Sequence, residues 1–268
     1  MRQYLDELKE ILSTGIEKTD RTGVGTLSIF GYRMKFDLSQ GEFPLLTTKK
    51  IFVRGVIEEL LWMIGGNPDV KILQEKGIHI WDAWEPEPGS DKFIPYPVMW
   101  RHYPRWKGDK TGIDQLQGAI DLIKNDPGSR RIIVDSWAAS FTDQMTLTPC
   151  HCMYQFYVRG EYLDMQLIVR SNDVFLGQPF NIAQYSLLLM MVSMVTGKHP
   201  GTLTYITGDT HIYLNHLDQV KLQLTREPRP LPKMEITREV TDINDFKYSD
   251  FFLSGYDPWP TIKAPVAV

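Results

Sequence analysis

Cysteine is almost absent: Cys150 and Cys152 are the only two in 268 residues. One residue apart, they cannot staple a domain. With no second cysteine pair or histidine cluster beside them they do not resemble a zinc site, so no metal is expected. Long hydrophobic runs are missing too. No stretch reaches the roughly 18 residues of a membrane span, and Met1-Arg2-Gln3-Tyr4 opens directly into an amphipathic pattern without a signal-peptide core. The expectation is a cytoplasmic protein with no membrane partner. An excess of positive charge is also lacking, since the formal net charge is −4, which argues against general nucleic-acid binding. Any phosphate must then be met by a local cluster. The chain shows no linker, repeat or low-complexity segment, and with 43% hydrophobic residues it can bury a full core. One domain spanning 1–268 is predicted.

What is present concentrates between Pro149 and Tyr185. Cys152, Tyr154, Phe156 and Val158 alternate with His151, Met153, Gln155 and Tyr157. Arg159-Gly160-Glu161 then turns, and Leu163, Met165, Leu167 and Val169 resume the alternation. Period two on both sides of a glycine predicts a β-hairpin with Cys150 and Arg170 near its open end. A thiol, a guanidinium and the neighbouring Ser171 can then approach one ligand, which suits an anionic small molecule with an electrophilic carbon. His151 is poorly placed as a base for Cys150, because adjacent strand residues face opposite ways.

Along the rest of the chain, Leu5, Leu8, Ile11 and Leu12 predict an N-terminal helix. A polar loop at 18–25 carries Arg21, either a phosphate ligand or a solvated loop cation, and strands are expected at 26–30 and again around Tyr32, Met34 and Phe36. A helix over 52–64 carries Glu58 and Glu59, about 100° apart around the axis. Glu58 is expected to pair with Arg54 in solvent. Glu59, among Val56, Leu60 and Met63, is a half-buried carboxylate and a candidate acid or base, or else a capped core group. Trp81 and Trp84 are core anchors or the wall of a planar-ligand site. Tyr96-Pro97-Val98-Met99-Trp100-Arg101 reads as a proline-rich loop. A helix over 114–125 is followed by Ser129-Arg130-Arg131 and a strand at 132–136. Residues 181–196 form a nearly all-apolar, buried helix. A strand at 202–207 precedes Gly208-Asp209-Thr210-His211-Ile212-Tyr213, which brings His211 and Tyr213 to the start of a further helix through Gln223. Lys233 to Ile236 follows an extended connector. The tail Lys263-Ala264-Pro265-Val266-Ala267-Val268 is apolar enough to dock.

In order along the chain, Asp20-Arg21-Thr22-Gly23, Glu59-Leu60-Leu61-Trp62, Ile80-Trp81-Asp82, Ser129-Arg130-Arg131, Pro149-Cys150-His151, Arg170-Ser171-Asn172-Asp173, Pro179-Phe180-Asn181, Gly208-Asp209-Thr210-His211-Ile212-Tyr213 and the apolar tail resemble the thymidylate synthase family. The resemblance covers essentially the whole chain. It implies an α/β fold of the α+β type, with a large mixed sheet packed by helices and one sheet face forming a homodimer interface. It also implies dUMP as substrate and 5,10-methylenetetrahydrofolate as co-substrate. The Cys150 thiolate would add to C6 of the pyrimidine, so that C5 attacks the one-carbon unit. Arg21, Arg170 and Ser171 would bind phosphate, with Arg130 and Arg131 reaching in from the partner subunit. Nearby cations would lower the pKa of Cys150.

By the same resemblance Asn181 would read N3 and O4, a carboxamide suiting uracil where an aspartate would suit cytosine. His211 and Tyr213 would hold the sugar. Glu59 would order waters and proton transfers, and Tyr96 would help remove the C5 proton. Trp81, Trp84, Asp173, Gly177 and Phe180 would meet the folate, with the tail from Val266 closing over it; Trp81 and Asp173 count also among the catalytic set. Pro97 and Met99 stand where the family usually has Gly and Gln, Ile168-Val169 where it often has Tyr-Gln, and Gln178 where it has an aliphatic residue. Pro97 is expected to divert the Tyr96 loop. Two products stay open: dTMP with dihydrofolate if water is excluded, or 5-hydroxymethyl-dUMP with tetrahydrofolate if water is admitted. A binding module without chemistry, or an unrelated thiol hydrolase, remains the reading from another class.

Overall fold

The computed structural model describes residues 1–106, 108–109 and 111–266. Its elements run α1 (Arg2–Thr14), β1 (Ile16–Lys18), β2 (Thr26–Asp37), α2 (Val53–Gly65), α3 (Lys71–Gln74), α4 (Pro95–Arg101), α5 (Gln115–Asn125), β3 (Ile133–Asp135), β4 (His151–Arg159), β5 (Tyr162–Asp173), α6 (Gly177–Val195), β6 (His199–Tyr213), α7 (Leu217–Leu224), β7 (Lys233–Ile236) and β8 (Phe251–Ser254). Six strands form one mixed sheet in the order β1-β2-β6-β5-β4-β3, and β7 pairs with β8 separately. The β4–β5 hairpin is antiparallel as the alternation predicts, and β5 lies parallel to β6. No described helix is long and apolar enough to cross a membrane.

A parallel neighbour needs a crossover, and α6 supplies it between β5 and β6. Its apolar residues surround the axis, so it can only be stable inside. Leu187, Leu188, Leu189, Met191 and Val192 are fully enclosed, as are Leu167, Val169, Leu203 and Tyr205 of the sheet. Each such side chain contributes on the order of 1.5–3 kcal/mol of burial. The helix starts at Gly177, four residues before the expected Asn181, which draws Gln178 into its first turn and Asn181 into its second.

Four expectations are corrected. The two strands foreseen at 26–30 and around Tyr32 to Phe36 are one strand, β2, because Gly31 takes φ 85° without ending the pairing. Strand β6 runs on to Tyr213, so His211 and Tyr213 stand on a strand and α7 begins only at Leu217. Tyr96 lies in helix α4, not a loop. Pro95 and Pro97 occupy its first turn, where N–H groups have no intrahelical acceptor, so Pro97 diverts nothing. Glu58 pairs at 2.7 Å with Lys76 rather than Arg54 and is buried, while Glu59 is half-buried as expected. The short strands β1 and β8 were not foreseen.

The pairs Phe30–Asp209 and Tyr32–Thr207 set Gly31 across from Gly208. At Gly208 a Cβ would stand 2.7 Å from the carbonyl oxygen of Arg170, so β6 can pass Arg170 only because this position lacks a side chain. Gly208→Ala is therefore expected to lower the unfolding free energy by about 1–3 kcal/mol, the usual cost of overpacking, as read from denaturant midpoints.

Candidate active site

The open end of the hairpin brings Cys150 and Arg170 together as the strand pattern predicts. The Arg170 amide donates to the Cys150 carbonyl at 2.9 Å. Its guanidinium donates to the carbonyls of Pro149 (2.8 Å) and Thr148 (3.0 Å) and to the Thr148 hydroxyl (2.8 Å), tying the 148–150 segment to β5. The Tyr96 hydroxyl accepts the amide protons of Cys150 (2.9 Å) and His151 (3.3 Å). Burial pushes the Tyr96 phenol well above its ordinary range, and Cys150 adds to this, so the phenol keeps its proton.

One electrostatic expectation fails. The Cys150 thiol is pushed up, not down, because burial outweighs the attraction of Arg170, with Cys152 and Asp173 adding to the rise. The resting group is a thiol, and an acceptor must take its proton as it attacks. His151 is not that acceptor. Burial drops it to about 4, against an opposing contact with Asn181, and its ring stacks on Tyr96 at 4.8 Å with Nδ1 3.2 Å from the Tyr185 hydroxyl.

Glu59 is held by helix α2 with both carboxylate oxygens engaged. Trp81 Nε1 donates to one at 2.6 Å and Gln184 Nε2 to the other at 2.5 Å. Although part of the side chain reaches solvent, the carboxyl is pushed up to about 7 by burial, which the two donors only partly offset. It can therefore take or give a proton near neutrality. Trp81 is itself buried and lies 5.7 Å from Trp62, 5.7 Å from Trp84 and 5.8 Å from Tyr96, forming an aromatic wall beside Glu59.

Strand register gathers a polar rim at the same end of the sheet. Ser171 pairs with Asp209 and Asp173 with His211 across β5 and β6, while Ser28 and Thr26 of β2 pair with His211 and Tyr213. The Arg21 loop precedes β2 and is shaped by Asp20, which accepts from Thr22 and from the Gly25 amide. His211 is nearly buried against Asp209 at 3.0 Å, and Tyr213 is pushed up to about 12, mainly by burial. Asn181 donates to the Tyr205 hydroxyl at 3.3 Å. Arg130 and Arg131 are not brought in. They precede β3, whose register puts them beside Phe156, and so about six strand residues or roughly 20 Å from Cys150. Among the described residues, the guanidinium groups of Arg21, Arg130 and Arg131 have no protein partner within hydrogen-bond distance.

Asp173 spends one oxygen on the amides of Phe175 (3.0 Å) and Leu176 (3.1 Å), just ahead of Gly177; Phe180 is half-buried. The Pro265 carbonyl accepts from His216 at 2.7 Å, whereas Val266 is 63% exposed; residues 267–268 of the expected tail lie outside the described residues. No group of three or more His, Cys, Asp or Glu side chains suited to a metal occurs among the described residues.

The residues that sequence reasoning passed over are Gln184, Tyr185, Tyr205, Lys49 and Glu7. A glutamine inside an apolar helix was a legible signal for Gln184. Lys49 is buried, donates to the Phe175 carbonyl and sits over its ring, and burial drops it to about 7. Gln178, which stands where the family has an aliphatic residue, is fully enclosed and donates to Glu7 at 2.6 Å.

A donor to a carboxylate favours the charged form, so losing one must raise the pKa further. Trp81→Phe is expected to move the Glu59 titration upward from about 7 by about one unit, as followed by the ¹³C shift of its carboxyl.

A half-protonated carboxyl under an aromatic wall, a thiol pinned beside an arginine, and a polar rim with a carboxamide together make a site for an anionic heterocycle. The thymidylate synthase family model matches residues 2–268. The chain therefore belongs to the thymidylate synthase family, whose chemistry is one-carbon transfer from methylenetetrahydrofolate to dUMP.

Proposed function

We propose that this chain makes dTMP and dihydrofolate, the methyl rather than the hydroxymethyl outcome. The observation that carries the reading is the enclosure of Glu59 between Trp81 and Gln184. Of the departures from the family pattern, Gln178 is tied to Glu7, Pro97 continues a regular helix, and Met99 and Val169 are core residues. An aromatic wall that limits water at this site favours hydride transfer over hydration.

In this reading Arg21, Arg170 and Ser171 hold the phosphate, and His211 and Tyr213 hold the sugar hydroxyl. Asn181 reads the uracil edge, and Cys150 attacks C6. Because the thiol rests protonated, its proton passes to water as the sulfur–carbon bond forms, with Arg170 favouring the thiolate. Glu59 holds the proton that O4 and the folate nitrogens exchange. The folate supplies the one-carbon unit and the hydride. Trp81, Trp84 and the free oxygen of Asp173 fit a planar ring with polar edges, flanked by Gly177, Phe180 and the tail from Val266. Arg130 and Arg131, exposed and far from Cys150 in their own chain, suit contribution to a partner's phosphate site across the outer sheet face, where Tyr157 is 66% exposed. Sedimentation is expected to show a homodimer.

Incubated with dUMP and methylenetetrahydrofolate, the protein is expected to yield a methylated nucleotide by mass and one equivalent of dihydrofolate by absorbance. A hydroxymethyl product without dihydrofolate would overturn this assignment in favour of a hydroxymethylase. Cys150→Ser is expected to lose the covalent adduct with 5-fluoro-dUMP that the unaltered protein forms in the presence of the folate, as detected by intact mass.

A further inference from the structure

The Asn181 amide is the near end of a buried relay whose far end is Glu7 on helix α1. Asn181 Nδ2 donates to the Tyr205 hydroxyl (3.3 Å), which donates to Asn172 Oδ1 (2.9 Å). Asn172 Nδ2 donates both to Gln178 Oε1 (2.5 Å) and to the Thr210 hydroxyl (2.8 Å). Both branches end on the same carboxylate, Gln178 Nε2 donating to one oxygen of Glu7 (2.6 Å) and Thr210 to the other (3.0 Å). Glu7, Asn172, Gln178, Tyr205 and Thr210 are all sealed from solvent, so no water can substitute for a missing partner.

Every bond in this relay points the same way, and its direction is set at one end. In its ionised form Glu7 only accepts, so Gln178 and Thr210 must then donate to it. Gln178 then has only its oxygen for Asn172, which must present its NH2 group, leaving its oxygen for Tyr205. The single phenolic proton is thereby used, and toward Asn181 the hydroxyl can only accept. Asn181 must turn its NH2 group to Tyr205, so its amide orientation is imposed from Glu7 through three intervening side chains. An amide so fixed offers an acceptor for N3–H and its second N–H for O4, the pattern of uracil. Cytosine, with an amino group at C4 and a bare N3, needs the amide reversed, which would press its oxygen against a hydroxyl with no proton left to give.

We infer that Glu7 is a positioning residue for pyrimidine discrimination, locking the Asn181 amide in the uracil-reading orientation from within the core. This rests on the assignment of Asn181 to the base edge in the function proposed above. Glu7→Gln replaces the pure acceptor with a group that both donates and accepts, so the relay can run either way. Glu7→Leu combined with Gln178→Leu removes the anchor and refills its space with apolar side chains, which keeps the test available if the single variant is unstable.

The measurement is binding of dUMP, dCMP and 2-deoxyribose 5-phosphate to the full-length protein and both variants by calorimetry. The expected result is a fall of about tenfold in the dUMP-to-dCMP affinity ratio, roughly the loss of one hydrogen bond. Sugar-phosphate affinity should be unchanged within about twofold, on the same scale. An unchanged ratio overturns the inference, and so does an equal loss for all three ligands, which would mark Glu7 as merely structural. If the unaltered protein binds the sugar phosphate but does not prefer dUMP, the assignment of Asn181 falls and the inference falls with it.

Discussion

Among the described residues, two carboxyl groups drawn into this protein, Glu7 and Glu59, have no cation paired to either, and one helix makes that tolerable. Glu7 and Glu59 are both pushed up to about 7 by burial. Each is met by a glutamine of α6, Gln178 for Glu7 and Gln184 for Glu59. An unpaired buried charge costs several kcal/mol, so both sites depend on amide donors held rigidly by close packing. The helix that fills the core therefore also supplies one amide donor to each carboxyl, which partly offsets the rise that burial causes. Its apolar surface fixes the amides in place, and the amides in turn make the carboxyls usable near neutral pH.

The two carboxyls differ in what surrounds them. Glu59 has an aromatic wall and partial access to solvent, conditions under which a proton can move. Glu7 is closed off, and both of its hydrogen-bond partners, Gln178 and Thr210, are directional donors. One group is placed to exchange a proton, the other to hold a pattern of hydrogen bonds still.

Much of this was legible in the sequence. The hairpin, the apolar crossover helix, α2 and the pairing of Cys150 with Arg170 follow from periodicity and turn residues, because those features are local and burial enforces them. The polar runs were harder. Gly208-Asp209-Thr210-His211 reads as a break, but strand pairing with β5 and β2 carries the chain through it. The prolines around Tyr96 read as a loop, but at the first turn of a helix they cost little. Glu7 escaped notice although it shares a helical face with Tyr4, Leu8 and Ile11, since its partners are remote in the sequence. The rise in the Cys150 pKa was invisible for the same reason: charge is written in the sequence, whereas desolvation is a property of the assembled core.

The Tyr96 hydroxyl has a further chemical consequence. An sp²-bound oxygen of this kind accepts through two lone pairs, and both are occupied by the amide protons of Cys150 and His151. What remains is one O–H. Toward anything lying over Cys150 the phenol is an acid-sided group, able to give a hydrogen bond but with no open lone pair to receive one. The backbone of the nucleophile's own strand has thus decided the direction in which its neighbouring tyrosine works.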